Sequence, residues 1–509
     1  MPNITAFLDI GAARSEKPAL IVPTRGESYS MRDLLDATSS LASLFTSLGV
    51  VKGDRIVIYL ESSAEYLIGY SAAWRIGAVA VPTSRVYTDQ ELAYAVANSG
   101  ARLLITDPDG VKVAGAIPGI TIISTGDAPE GTVPWPVLRE AVPVSPPVNC
   151  SPTDLCQIQY TSGTTGRPKG AMLTHGGWMA ALDAEAEALA LTPDDVYLGI
   201  YPMGHVGISW GIAALKAGAT FVVMERFDLE AYLTLTEEYR VTVLAGMPPV
   251  IHSLLTSPPG TEERLSSARE IISGGGPLHP EVWKPFHERF GIPIINAYGL
   301  SETIVIGTGT AIRAADYPFA DRFLSVGHPV GYSEVRIVDS EDPNKILPVG
   351  EEGEVALRGP AVARGYWGMK EETEEAFLPS GWFLTGDIGF IDTEGRLSIT
   401  DRKKDMIIMS GWKIYPTEVE DILLRHPAVA DAAIFGVPDQ RRGEIPVAAV
   451  VPKEDETITE DEITTYCRSH LAGYKVPRDV IVTNSLPRMN GWKLMRKTLR
   501  EEYTQEKSS

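Results

Sequence analysis

An α/β fold is predicted for this 509-residue chain. It comprises a large N-terminal domain of two mostly parallel α/β subdomains plus a barrel-like β section, followed by a small α+β C-terminal domain. Three observations carry the prediction. Strand and helix signals alternate through most of the N-terminal part, as parallel sheets covered by helices require. Short Gly-punctuated strands replace that alternation from about residue 325, and a charged stretch, Asp401 to Asp405, precedes a smaller α+β pattern. The division is therefore 1–402 and 403–509, with the linker at about residue 402. At ~150 residues per domain, the length allows roughly three units.

The elements follow in order. RIVIYL (55–60) is a short β-rich run, EYLIGYSAAWRIGAVAV is helix-like, and ELAYAVANSGARLLITD is a helix, a stop at Gly100 and another strand. TFVVME, a helix over Leu229 to Arg240 and VTVLAG repeat that grammar, as do EIISGGGP, a helix over Pro280 to Phe290 and PIINAYG. Ligands in such sheets bind at the carboxyl ends of strands. VRIVDS, GEVALRG and GRLSIT then read as antiparallel or barrel-like, and EVEDILLRH, VADAAIFGVP, PVAAVVP and EDEITTYCRSHLAG build the C-terminal unit, which ends in a basic helix.

Composition narrows the function classes. Lys and Arg number 45 against 66 Asp and Glu, a net charge of −21, which repels a nucleic-acid backbone unless basic residues are segregated. The nearest basic stretch, Lys493 to Arg500, reads as a solvated helix face, so no nucleic-acid partner is expected. Cys150, Cys156 and Cys467 have no CxxC spacing and suggest buried thiols in a reducing compartment. The N-terminus lacks a signal-peptide pattern and the longest apolar region, Leu67 to Pro82, is interrupted by Arg75, so a cytoplasmic protein without a transmembrane segment is expected.

The densest chemical signal is Tyr160-Thr-Ser-Gly-Thr-Thr-Gly-Arg-Pro-Lys-Gly170, after the apolar run LCQIQY. Glycines such as Gly163 let backbone N–H groups approach an anion; the hydroxyls of Thr161, Ser162, Thr164 and Thr165 add donors, and Lys169 adds charge. Such a loop cradles a triphosphate. It is not a Walker A loop, because Lys169 precedes Gly170 rather than a Ser or Thr.

With this loop the chain resembles the acyl-adenylate-forming superfamily of acyl- and aryl-CoA ligases, luciferases and peptide-synthetase adenylation domains. The likeness covers nearly the whole chain through YPMGHVG (201–207), SGGGPL (273–278), NAYGLSET (296–303), GWFLTGDIG (381–389), DRKKDMIIMSGWKIYPTEVE (401–420), YKVPR (474–478) and NGWKLMRKTLR (490–500), in the family's order.

The resemblance implies ATP, a carboxylic acid and coenzyme A as substrates, and Mg2+ as the metal. Asp387 and Arg402 would hold the ribose; a surface salt bridge is the plainer reading of that pair. Tyr298 and Gly299 would face the adenine, with Gly274 and Gly275 allowing backbone to approach base and substrate; a core tyrosine is the alternative. Ser301 would touch the α-phosphate and Glu302 would bind the metal, since a phosphate-bound hard cation takes one or two protein carboxylates. Lys493 is the candidate for placing positive charge at the α-phosphate, with Lys497 as the alternative. Trp492 stands before Lys493 where the family usually has glycine; narrowing the pocket, it would favour a compact acid. His205 would orient the carboxylate, and Met203, Val206, Gly246, Met247 and Ile304 would line an apolar acyl pocket. Lys404 occupies the hinge, about which rotation would present Gly411, Trp412 and Lys413 to the thiol.

The reading is an AMP-forming acid:CoA ligase acting on an aliphatic, alicyclic or aryl monocarboxylic acid; a homodimer is compatible with it. Two rivals remain. Loading of a carrier protein would use the same first half-reaction. An α/β-hydrolase is suggested by Gly207-Ile-Ser-Trp-Gly211 with His175-Gly-Gly177 upstream, but residues 206–217 read as a helix that buries Ser209, not as a strand entering a sharp turn.

Overall fold

The computed structural model describes residues 3–508 apart from 116, 137–145, 162–167, 277, 279, 313–324, 455 and 490–492. Its first sheet has seven strands in the order Val133–Pro134, Thr121–Ser124, Leu103–Thr106, Arg55–Leu60, Val79–Ser84, Leu155–Thr161 and Lys169–Thr174. All neighbours are parallel except the last pair, which is a hairpin. The buried runs of Arg55–Leu60 and Val79–Ser84 explain their places at the centre of the sheet. The intervening helix Ala64–Arg75 starts at Ser63, whose side chain accepts from the Tyr66 N–H.

A nine-stranded second sheet runs His328–Pro329, Val305–Ala311, Ile294–Leu300, Glu270–Ser273, Val243–Ala245, Val196–Gly199, Thr220–Val223, Pro18–Val22 and Glu27–Ser30. It is parallel from Ile294–Leu300 to Pro18–Val22, with antiparallel strands at both edges. The helix expected over Leu229 to Arg240 is Leu229–Tyr239, closed by Arg240 in the left-handed region, and Pro280–Phe290 is a helix as expected. Helix Ile208–Ala217 buries Ser209.

The antiparallel section is the four-stranded sheet Glu334–Val338, Gly353–Arg358, Phe383–Ile391 and Leu397–Arg402, with Val305–Ala311 packed against its first two strands. The small C-terminal sheet is ordered Trp412–Ile414, Ile407–Met409, Gly443–Pro452 and Val429–Asp439, with Asp479–Val482 parallel to Gly443–Pro452. It has its own core around Ile414, Val419, Ile434 and Val450. No described helix is long and apolar enough to cross a membrane.

Candidate active site

Carboxyl ends of four adjacent parallel strands gather the acyl and nucleotide candidates. Val196–Gly199 leads to the 201–207 loop, Val243–Ala245 to Gly246 and Met247, Glu270–Ser273 to Gly274 and Gly275, and Ile294–Leu300 carries Tyr298 and Gly299 into Ser301 and Glu302. Crossovers put all four ends on one edge, so the fold collects side chains far apart in sequence. Close packing demands small residues there. A Cβ on Gly246 would lie 2.4 Å from Ile271 Cδ1, and one on Gly299 1.7 Å from the Val305 carbonyl oxygen.

The segment expected to bind phosphate joins Leu155–Thr161 to Lys169–Thr174, with Thr161 paired across the hairpin to Lys169. Ser162, Gly163, Thr164 and Thr165 lie outside the described residues. The Tyr94 hydroxyl donates to the Pro168 carbonyl (3.2 Å), fixing the loop's exit. Lys169 Nζ sits 5.1 Å from the centroid of the Tyr366 ring, and the Tyr366 hydroxyl donates to Glu302 Oε1 (3.0 Å). The Ala363 N–H donates to the Glu302 carbonyl (2.7 Å), bracing the same residue from its backbone. Glu302 is 8% exposed, and burial pushes its carboxyl up, against the Tyr366 hydrogen bond that lowers it. A single buried carboxylate beside a lysine and a phosphate loop fits a magnesium ion that is carried mainly by phosphate oxygens.

Asp387 and Arg402 are direct cross-strand partners, and Arg402 Nε meets Asp387 Oδ1 at 2.7 Å. The Tyr298 hydroxyl donates to Asp387 Oδ2 (2.6 Å). Asp387 is 2% exposed whereas the Arg402 side chain is half exposed, so this is no ordinary surface pair. Burial raises the Asp387 carboxyl while Arg402 and then Tyr298 lower it. Each carboxylate oxygen retains a lone pair for an incoming hydroxyl.

The residues nominated for an acyl pocket are apolar. Met203, Val206 and Ile304 are buried, Met247 is half-buried, and consecutive left-handed residues, Ile304 (φ 51°) and Val305 (φ 50°), turn the chain after Glu302. His205 is half-buried on the same loop, its N–H donating to the Pro202 carbonyl (3.1 Å). Side chains from the first sheet hold this loop: Ser62 Oγ accepts the Met203 N–H (3.1 Å), Tyr70 donates to the Met203 carbonyl (3.3 Å), and Gln159 Nε2 donates to the Gly204 carbonyl (3.1 Å).

Lys404 lies in the tight turn where the Asp405 and Met406 N–H groups donate to the Arg402 carbonyl. Asp401 spans the two domains: its Oδ2 accepts the Thr417 N–H (2.8 Å) at the start of helix Pro416–Leu424. Gly411 (φ 86°), Trp412 and Lys413 form an exposed hairpin end that no hydrogen bond or ion pair among the described residues joins to the Glu302 and Asp387 clusters. Lys493 pairs through its backbone with Met489 in a two-stranded ribbon, and Trp492 lies outside the described residues. Lys497, the alternative, is solvated and pairs with Glu501 (3.8 Å).

Profiles of two domains match the chain: AMP-binding enzyme over residues 8–367 and AMP-binding enzyme C-terminal domain over residues 418–491. The chain belongs to the AMP-binding enzyme family. Its similarity to 4-coumarate--CoA ligase 5 of Oryza sativa subsp. japonica is 33% identity over 498 residues, covering 96% of this chain and 92% of the relative. For feruloyl-CoA synthase of Amycolatopsis sp the identity is 33%, covering 96% and 97%. ATP-bound MatB from Rhodopseudomonas palustris superposes with a TM-score of 0.90 at 31% identity, covering 98% of this chain and 99% of that one; apo MatB gives 0.79. This AMP-binding enzyme is therefore of the acyl-CoA synthetase branch, an AMP-forming CoA ligase.

Against this AMP-binding enzyme being a hydrolase, Ser209 is fully buried inside a helix, and its hydroxyl donates to Glu185 Oε1 (2.6 Å). Sequence reasoning missed Tyr366, Gln159 and Arg496. Arg496 holds Glu420 through Nη2 (2.8 Å) and approaches Asp405 (3.7 Å), tying the segment after Lys493 to the hinge. Only a tyrosine in GYWG after the GPAVAR turn could have pointed to the first; nothing local marks the other two.

Proposed function

We propose that the chain activates an apolar monocarboxylic acid as its acyl-adenylate and transfers the acyl group to coenzyme A. The observation that carries this reading is the union of two polar clusters, Lys169–Tyr366–Glu302 and Tyr298–Asp387–Arg402, with an apolar wall along one sheet edge. Ribose hydroxyls donate to Asp387, while Lys169 and the phosphate loop hold the polyphosphate. Glu302 would hold a magnesium ion there, which would supply charge neutralisation at the polyphosphate.

The acid's carboxylate oxygen attacks the α-phosphorus, the bond to the β-phosphate oxygen breaks, and pyrophosphate leaves. Two anions meet in that step, so Lys493 and Ser301 are assigned to the developing charge on the α-phosphate. His205 orients the carboxylate. In the second step the thiolate of coenzyme A attacks the acyl carbon and AMP leaves. Rotation of residues 403–509 about Lys404 exchanges Lys493 for the Gly411 hairpin, because the first step needs a cation and the second an open path for a thiol arm.

Met203, Val206, Met247 and Ile304 are all apolar, which favours an acid without a second charge. The relatives' names add that 4-coumarate and ferulate are the acids of those enzymes, which favours an aryl acid here. Three buried free cysteines support a reducing, cytoplasmic setting.

A pyrophosphate-release assay over a panel of aryl, alicyclic and aliphatic acids, with and without coenzyme A, tests this reading. Release with an aryl acid and thioester formation upon adding coenzyme A are expected, and Lys493→Ala should lower release by at least a hundredfold. If no acid gives release, or the lysine variant adenylates normally, the proposal fails.

A further inference from the structure

Strand Leu155–Thr161 is buried along its middle, as its place between Val79–Ser84 and Lys169–Thr174 demands. Strands so covered ordinarily carry hydrocarbon, yet this one carries Gln157 and Gln159, both 0% exposed. A spacing of two puts them on one face of the strand. The next residue of that face is Thr161, where the segment expected to bind phosphate begins.

The two amides form a chain that runs one way. The Gly204 carbonyl can only accept, so the Gln159 atom that reaches it (3.1 Å) is Nε2; Oε1 then faces Gln157, which donates through its own Nε2 (2.9 Å). Gln159 Nε2 also points at the Tyr160 carbonyl of its own strand (3.4 Å). Gln157 Oε1 is left buried with no hydrogen-bond partner among the described residues. An unsatisfied buried acceptor costs stability. A leucine at 157 would avoid that cost, so folding by itself does not account for the pair.

At its far end the chain grips the loop that carries His205. Gly204 is pressed onto the first sheet: a Cβ there would lie 2.9 Å from the Thr83 carbonyl oxygen and 3.1 Å from the Ser84 nitrogen. Ser62 and Tyr70 also hold this loop, at Met203, but they come from elements far from the phosphate segment in sequence. Of the three, Gln159 alone stands on the strand that runs into that segment. We propose that Gln159, oriented by Gln157, is a positioning residue that ties the hairpin assigned to phosphate to the His205 loop, so that bound nucleotide sets the histidine that orients the carboxylate. It acts through the loop and not on a reacting atom. This rests on the ligase function proposed above and adds how its nucleotide and acid segments are coupled.

Hydrogen exchange of the 201–207 amides in the full chain, with and without Mg2+ and α,β-methylene-ATP, reads the link directly, because this analogue cannot release pyrophosphate. In the wild type it should slow exchange at Met203 and His205 roughly tenfold. In Gln159→Leu the slowing should be under twofold, with the calorimetric Kd of the analogue within threefold of wild type. Gln157→Leu removes the unsatisfied acceptor, so its melting temperature should equal or exceed the wild type's while protection at His205 falls; a glutamine with a merely structural role predicts the reverse. With the panel acid that gives the fastest pyrophosphate release, both variants should raise KM for the acid roughly tenfold and KM for ATP under twofold. No protection in the wild type, equal protection in Gln159→Leu, or an equal rise in both KM values would overturn the proposal. Absence of pyrophosphate release from the wild type with every acid would instead sink the ligase reading, and the exchange result would then judge the link by itself.

Discussion

Glu302 illustrates how one residue's chemistry is set by neighbours that are remote in sequence. Its carboxylate is buried, so ionisation is opposed by desolvation and supported by the Tyr366 hydroxyl 3.0 Å away. Tyr366→Phe removes that hydroxyl but keeps the ring under Lys169. A hydrogen bond to a charged group contributes about 1.5–3 kcal/mol, so adenylation kcat/KM should fall roughly ten- to hundredfold. The sign of the pH effect follows: losing a donor to the carboxylate raises its pKa further, so the acidic limb of the rate profile moves to higher pH. A pH profile of pyrophosphate release that does not shift would show that Tyr366 does not act through Glu302. The sequence named Glu302 from NAYGLSET but could not name its partner, because Tyr366 comes from a loop 64 residues later.

At the scale of elements, the antiparallel pair Ile294–Leu300 and Val305–Ala311 is what presents Ser301 and Glu302. The two strands approach so closely at Gly299 that a Cβ there would lie 1.7 Å from the Val305 carbonyl oxygen. Backbone cannot yield as a flexible side chain does, so Gly299→Ala should force the strands apart. The expected cost is at least the 1–3 kcal/mol typical of overpacking, seen as a lower melting temperature together with weaker ATP binding. An intact site in a destabilised protein would break the link between this hairpin and the turn that carries Ser301 and Glu302. The β–α alternation was legible beforehand because period and stop signals are local, as with helix Pro280–Phe290. Partner strands were not: Pro18–Val22 crosses to lie beside Thr220–Val223, a pairing that no local pattern encodes.

For the whole molecule, the question is what holds the two domains in this arrangement. Asp401, 6% exposed, accepts the Thr417 N–H across the junction, and burial pushes its carboxyl up to about 6. A carboxyl raised from 3.8 to about 6 costs stability above pH 6, on the order of 3 kcal/mol, and that cost fades as pH falls from about 6 towards 3.8. Asp401→Asn keeps an acceptor for Thr417 without the charge. The variant should therefore melt higher than wild type at pH 8, with the gap closing by about pH 4; a gap independent of pH would mean that the charge is not what burial opposes. Arg496, held by Glu420 and close to Asp405, ties the segment that follows Lys493 to the same junction, so the junction would couple the proposed hinge to the lysine proposed for the first half-reaction.

The sequence by itself determined the fold class, the order of the chemical segments and the residue types at each position of the site. Those depend on local periodicity, turn chemistry and short motifs, which a chain carries wherever it folds. Only the tertiary structure decided that Asp387 meets both Arg402 and Tyr298, and that Gln159 of one sheet steadies the loop of another. Such contacts arise from crossovers and domain packing, where distance in space is unrelated to distance along the chain.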